Sequence, residues 1–249
     1  MVSEAIIIGG GASIQGGISL GLKDYLRDHF VIACNFAFNH FENTFTTFID
    51  PNFYRGILDK EKSVIPNLEH VNKLKSLPLI IGNKFSGEQK DYYPNTIPLQ
   101  CCGTFSKDIF AKKRGVYTGC MTGIFSLHLA AYLMNYTGTI YLLGFDWSMR
   151  KKETVDPHHY TEYAPEIKTH YYNDIPHRGI HRVKYFENHD PNENFKYFMM
   201  KGLKIYNVSP NSNISNFEKI NYLTFFSLLS DVRYGQNKLR TQIKEKLCI

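Results

Sequence analysis

Short β-branched runs that stop at glycine or a small polar residue set the pattern along this chain. Residues 5–8 (Ala-Ile-Ile-Ile) run straight into three glycines. Residues 30–34 end at Asn35, residues 46–49 at Asp50-Pro51, and residues 78–81 at Gly82-Asn83. Residues 139–143 end at Gly144-Phe145-Asp146, and residues 204–208 at Ser209-Pro210-Asn211. Runs apolar on both faces predict strands buried on both sides, as in a parallel sheet. Between them, Ile18, Leu20, Leu22 and Leu26 predict a first helix over 18–27, and residues 121–135 a strongly apolar one. Two amphipathic stretches close the chain. This alternation predicts an α/β protein: a Rossmann-like, mostly parallel sheet with helices on both faces. In such sheets ligands bind at the carboxyl ends of the strands. Gly9, Asn35, Asp50, Gly144, Asp146 and Asn211 are therefore expected along one rim.

One stretch breaks the rhythm. Residues 148–190 have no periodicity and hold six of the ten histidines: His158, His159, His170, His177, His181 and His189. So long an irregular segment in a compact domain suits a lid or an acceptor-site insertion. We read residues 1–249 as one domain, with this insertion at 148–190 and basic C-terminal helices over 213–249.

Composition adds bounds. Hydrophobic residues make up 43% and charged residues 21%, a globular balance. No apolar run reaches the roughly 20 residues that span a bilayer; the longest, 121–133, carries His128. No basic segment precedes the first apolar run, and the five cysteines show no CxxC spacing. We expect no signal peptide, reduced thiols and a cytoplasmic location. The net charge of +6 is uneven. Arg233, Lys238, Arg240, Lys244 and Lys246 stand against Asp231 and Glu245 near the C-terminus. Such a tail suits an anionic partner, such as the inner face of a membrane, a polyanionic acceptor or nucleic acid, and equally a solvated helix face.

The chemistry concentrates in Gly9-Gly10-Gly11-Ala12-Ser13. Glycines let the backbone turn and approach a ligand, and amides at a helix start attract phosphate. Ile14 stands where a dinucleotide fingerprint has its last glycine, and Asn35 where NAD enzymes carry an acid, so NAD is not expected. Gly-Lys-Ser/Thr is absent, and with it a Walker loop. Asn35, Asp50 and Asn52 suit a ribose, a base edge or a sugar, and equally helix caps. Thr122-Gly123 opens the apolar helix, where a ligand would lie over the helix start. The spacing of His177 and His181 invites a metal, but Gly179 lies between them and Pro176 just before. A single histidine acting as general base suits the lid better. On this reading Gly11→Val is expected to weaken nucleotide binding without unfolding the protein.

In order, Gly9-Gly-Gly-Ala-Ser13, Cys34-Asn35, Asp50-Pro-Asn-Phe53, Thr122-Gly123, residues 140–146 and residues 205–212 resemble the landmarks of the bacterial lipooligosaccharide sialyltransferases, glycosyltransferase family 42. The glycine loop and Gly-x-Asp strand end also resemble hydroxymethylpterin pyrophosphokinase-like (DUF115) proteins. The sialyltransferase resemblance implies a GT-A-like Rossmann variant, a CMP-sialic acid donor and no metal. It implies that Gly9, Gly10, Gly11 and Ser13 hold the donor phosphate and ribose region, that Asn35 contacts the donor and Asn52 the sugar end, with Asp50 at the same strand end. Thr122, beside Gly123, matches a hydroxyl that contacts the sugar carboxylate. Gly144, Asp146 and Trp147 match the segment that holds the nucleoside. His189, or His181 after it, matches the base, and Tyr160 or Tyr163 a tyrosine that donates to the leaving phosphate. The chain departs from the pattern at Gly10 and Asp50, both asparagine in the family, and at Ser148, a tyrosine there. A carboxylate at position 50 would repel a sialic acid carboxylate, so a neutral sugar fits the other landmarks as well.

Two other functions fit the sequence. One is a Mg²⁺-dependent pyrophosphokinase-like phosphotransferase, with Asp50 and Asp146 on the metal. The other is a non-enzymatic nucleotide- or nucleic-acid-binding protein acting through the basic tail. The acceptor, glycan or nucleic acid, and the oligomeric state, homo-oligomer included, are left open.

Overall fold

The computed structural model describes residues 2–56, 66–85, 92–110, 115–119, 121–146 and 190–247. Eight parallel strands form one sheet, in the order 218–219, 203–207, 138–143, 4–8, 31–34, 45–48, 80–83 and 96–99. β1 (Glu4–Ile8), β2 (Val31–Cys34), β3 (Phe45–Phe48), β4 (Ile80–Asn83) and β5 (Thr96–Leu99) step outward in one direction. The chain then makes a two-stranded parallel ribbon from β6 (Cys101–Cys102) and β7 (Val116–Tyr117). It returns to the centre, where β8 (Gly138–Leu143) pairs with the other edge of β1, and β9 (Leu203–Asn207) and β10 (Glu218–Lys219) continue outward. The reversal of strand order falls between β1 and β8, in register Ile8↔Leu143. That is where a parallel sheet opens a crevice at its carboxyl edge.

All five residues of β1 are buried, as the unbroken Ala-Ile-Ile-Ile run required. Side chains alternate between two cores. Ala5, Ile7, Ile32, Ile140 and Leu142 join the core on one face, and Ile6, Ile8, Val31, Ala33, Tyr141 and Leu143 that on the other. The first face is covered by α5 (Thr122–Leu133), α6 (Pro191–Phe195) and α8 (Gln236–Lys246). The second is covered by α1 (Ile14–Ser19), α2 (Leu22–Tyr25), α3 (Pro51–Tyr54), α4 (Leu68–Ser76) and α7 (Tyr222–Leu228). The single first helix expected over 18–27 is two short ones, because Gly21 at φ +83° interrupts it.

α5 is buried almost all round, which its uniform apolarity foretold. It lies between the sheet and an outer layer, so even His128 is fully buried. The Tyr117 N–H donates to His128 Nδ1 (2.7 Å). Nε2–H then donates to the Tyr136 hydroxyl (2.9 Å), which donates to the Lys107 carbonyl (3.0 Å). Burial lowers the His128 pKa to about 4, so the ring is neutral and structural.

Of the five basic residues near the C-terminus, Arg233, Lys238 and Lys244 are exposed, and Arg240 and Lys246 turn inward. α7 carries no basic residue. In α8, Arg240 turns inward: Nε donates to the Thr44 carbonyl (2.9 Å) and Nη2 to that of Asn43 (3.1 Å). The Lys246 ammonium donates to the Leu133 carbonyl at the end of α5 (3.1 Å) and to Asn135. Burial lowers the pKa of both groups. Two charges read as available to a partner thus hold the last helix against the sheet and α5. Among the described residues no helix is long and apolar enough to cross a membrane.

Candidate functional site

The glycine loop and the end of β8 meet at the switch point. The Gly9 N–H donates to the Leu143 carbonyl (2.8 Å), and the Gly11 N–H to that of Gly144 (2.9 Å). The Ser13 N–H donates to Asp146 Oδ2 (2.8 Å) and its hydroxyl to Asp146 Oδ1. With its own proton on Asp146, Ser13 Oγ accepts from Ser209 Oγ at 2.8 Å. Three loop amides expected to face a ligand are therefore taken within the fold. Among the described residues, the N–H groups of Gly10 and Ala12 remain without an internal acceptor.

The glycines are explained by packing. A Cβ on Gly9 would stand 2.7 Å from the Gly144 oxygen, and one on Gly11 2.6 Å from the Asp146 carboxyl carbon. Gly144 has φ +69°, and a Cβ there would strike Ile14. Glycine is needed here so that two strand ends can touch, not for ligand approach alone.

Phe145 carries this contact across to α5. Its ring lies 3.2 Å from a Cβ built on Gly9 and 2.7 Å from one built on Gly123. The glycine loop, through Gly9, and the start of α5, through Gly123, thus meet on one aromatic ring at the end of β8. Met121 caps α5 without a side-chain bond, and the first i→i−4 bond runs from Phe125 N–H to the Met121 carbonyl. The N–H groups of Thr122 and Gly123 therefore lie at the open, positive end of a twelve-residue helix.

Asn35 stands beside that end. It holds φ +49°, a left-handed conformation uncommon for a residue with a side chain, at the carboxyl end of β2. The Thr122 hydroxyl donates to its Oδ1 (3.2 Å). Behind them lies a buried polar knot. Ser126 Oγ donates to the Thr122 carbonyl (2.7 Å) and lies 2.7 Å from Thr47 Oγ1 and 3.1 Å from Cys34 Sγ. Burial pushes the Cys34 thiol up to about 11, which keeps it protonated and inert.

Asp50 and Asn52 sit two strands away from β1, and their geometry is that of a cap. Asp50 Oδ1 accepts from the Asn52 backbone N–H (2.8 Å) and its side-chain amide (3.0 Å), with Pro51 opening α3. Asn52 is buried. Trp147, Tyr160, Tyr163, His181 and His189 lie outside the described residues. Residue 190, where the described chain resumes, caps α6 with its carboxylate.

Three contributors were not singled out in the sequence. Phe145 and Ser209 were there to find, since each adjoins a strand end already marked as rim. Tyr222, on α7, was not. Its ring occupies the space a Cβ on Gly17 would need (2.4 Å), and its hydroxyl is buried beside Ser13 and Asp146. Burial, then the nearby Asp146 charge, raises its pKa.

A parallel sheet whose strand order reverses at a glycine loop, with helices on both faces, is a Rossmann-like α/β fold. The solved structure of the MAf glycosyltransferase from Magnetospirillum magneticum AMB-1 is similar, with a TM-score of 0.58, 13% identity and 99% of this chain covered. This chain spans 37% of that chain's length. No protein-family model and no curated protein matches the sequence.

Proposed function

We propose that this protein is a glycosyltransferase that moves a sugar from a nucleotide-sugar donor to an acceptor hydroxyl, without a metal. The observation that carries the reading is the convergence of the glycine loop, the β8 end and the α5 start on Phe145, at the switch point of the sheet. The MAf glycosyltransferase shares this fold along nearly the whole chain, and the ordered landmarks in the sequence resemble family 42. On this reading the Gly10 and Ala12 amides and the open start of α5 face the donor's anionic part. The Asn35 amide, held beside Thr122, reads its sugar or ribose. His189, or else His181, takes the proton of the acceptor hydroxyl as the glycosidic carbon gains oxocarbenium character. Tyr160 or Tyr163 donates to the departing phosphate, and the 148–190 segment excludes water.

The metal-dependent phosphotransferase reading places Asp50 and Asp146 on Mg²⁺. Asp50 instead caps α3, and each oxygen of Asp146 accepts a hydrogen bond from Ser13. Those engagements favour the transferase. Thermal-shift measurement with CMP-, UDP- and GDP-sugars, CTP and ATP, each with and without EDTA, separates the functions. Stabilisation by a nucleotide sugar that survives EDTA is the expected result. Stabilisation by ATP only with Mg²⁺ would replace it with the phosphotransferase, and no shift with any nucleotide would leave a non-enzymatic role.

A further inference from the structure

Asp146 is 8% exposed, and neither of its oxygens is left without a bond. Oδ2 accepts a hydrogen bond from the Ser13 backbone N–H and Oδ1 one from the Ser13 hydroxyl, across 133 residues of sequence. Gly11 closes over the carboxyl carbon, leaving no room for a side chain between them. Ser209, from the end of β9, completes the cluster by donating to Ser13 Oγ. Ser13 makes no side-chain cap to its own helix, because its hydroxyl is committed to this cluster. Three strand ends are thus tied at one point: β1 through Ser13, β8 through Asp146 and β9 through Ser209.

We propose that Asp146 is a positioning residue, which with Ser209 clamps Ser13 and so fixes the loop on which the donor rests. It acts through hydrogen bonds and not through charge presented to a ligand. In this role the clamp leaves Gly10 and Ala12 as the loop amides for an outside acceptor. The ligand half of the proposal rests on the nucleotide-sugar reading; the clamp itself does not.

The bonds and the charge can be separated. Asparagine at 146 keeps the geometry: its Oδ1 accepts the Ser13 N–H, its Nδ2 donates to Ser13 Oγ, and Ser13 turns its proton to Ser209. Alanine keeps none of it. Amide hydrogen exchange reads the loop directly, and calorimetry reads the Kd of CMP, UDP and GDP as probes. Asp146→Ala should raise exchange over residues 9–13 and weaken nucleotide binding, each roughly tenfold or more. Asp146→Asn should recover most of both losses. If asparagine is as damaging as alanine in both readouts, the charge matters and the clamp is wrong. Unchanged exchange over 9–13 in Asp146→Ala overturns it as well. If the wild type binds none of the three nucleotides, the transferase reading falls, while the exchange pattern still decides the clamp. Should Asp146→Ala fail to fold, Ser13→Ala removes the hydroxyl contacts and keeps the Ser13 N–H bond. It should raise exchange over 9–13 at least several-fold, since both bonds of the hydroxyl are lost, and no change there overturns the clamp.

Discussion

Gly11 lies so close to Asp146 that a Cβ on it would stand 2.6 Å from the carboxyl carbon and 2.7 Å from the Gly144 backbone oxygen. Neither obstacle can swing away, since one is backbone and the other is held by two bonds to Ser13. Gly11→Val, which the sequence alone suggested would weaken binding in an intact protein, should therefore destabilise the fold. Overpacking of this kind costs about 1–3 kcal/mol. Urea unfolding should show it as a lower midpoint at unchanged slope. A variant as stable as the wild type would place the loop differently from the contact described.

At Asn35 backbone and side chain are separable. Glycine accepts φ +49° without strain, so Asn35→Gly should leave stability within about 0.5 kcal/mol. It removes the amide beside Thr122. If that amide reads the donor, kcat/KM for transfer should fall roughly 10- to 100-fold, the worth of one good hydrogen bond. Full activity in a folded Asn35→Gly would remove Asn35 from the site.

His189→Ala should reduce transfer by about 10²- to 10⁴-fold, as loss of a general base does, while calorimetry shows nucleotide affinity nearly unchanged. Undiminished transfer would pass the role to His181, to be tested the same way.

His128 gives stability a pH dependence. Its pKa is about 4 in the fold, against 6.5 as the ordinary value, because burial disfavours the charged ring. Between these pH values the unfolded chain binds a proton that the folded one refuses, so stability rises with pH across the window. It is fully present above 6.5 and is lost as pH falls towards 4. His70, which donates Nε2–H to the Phe53 carbonyl (3.0 Å) and is lowered by burial too, adds with the same sign. At 1.36 kcal/mol per pH unit the His128 contribution reaches about 3 kcal/mol. Urea unfolding at pH 4.5 and 7 measures it, and His128→Gln should flatten the difference. An unaltered pH slope in that variant would mean that His128 already titrates alike in both states.

Lys246 and Lys238 share a helix and differ in what they touch. Lys246→Ala strips donors from the Leu133 carbonyl and Asn135, and should cost about 1–2 kcal/mol. Lys238 is exposed, and Lys238→Ala should stay within about 0.5 kcal/mol. Equal unfolding midpoints for the two variants would contradict the inward role of Lys246.

The sequence by itself determined the strands that are buried on both faces. The apolar runs at 5–8, 30–34, 46–49, 78–81, 139–143 and 204–208 each overlap a strand of the sheet to within one or two residues, because a largely apolar segment has few other stable places. It also marked the rim, since small and polar residues must end such strands. It did not reveal β5, whose Pro98 suits an edge strand, or β10, which has only Glu218 and Lys219 and buries neither. Which strand lies beside β1, what Ser13 and Asp146 do for one another, and which basic side chains of α8 turn inward were decided by tertiary structure alone. Each rests on partners more than a hundred residues apart, and hydrogen bonds across that distance leave no periodicity in the chain. Local pattern fixes what must be buried; only the folded topology fixes against what.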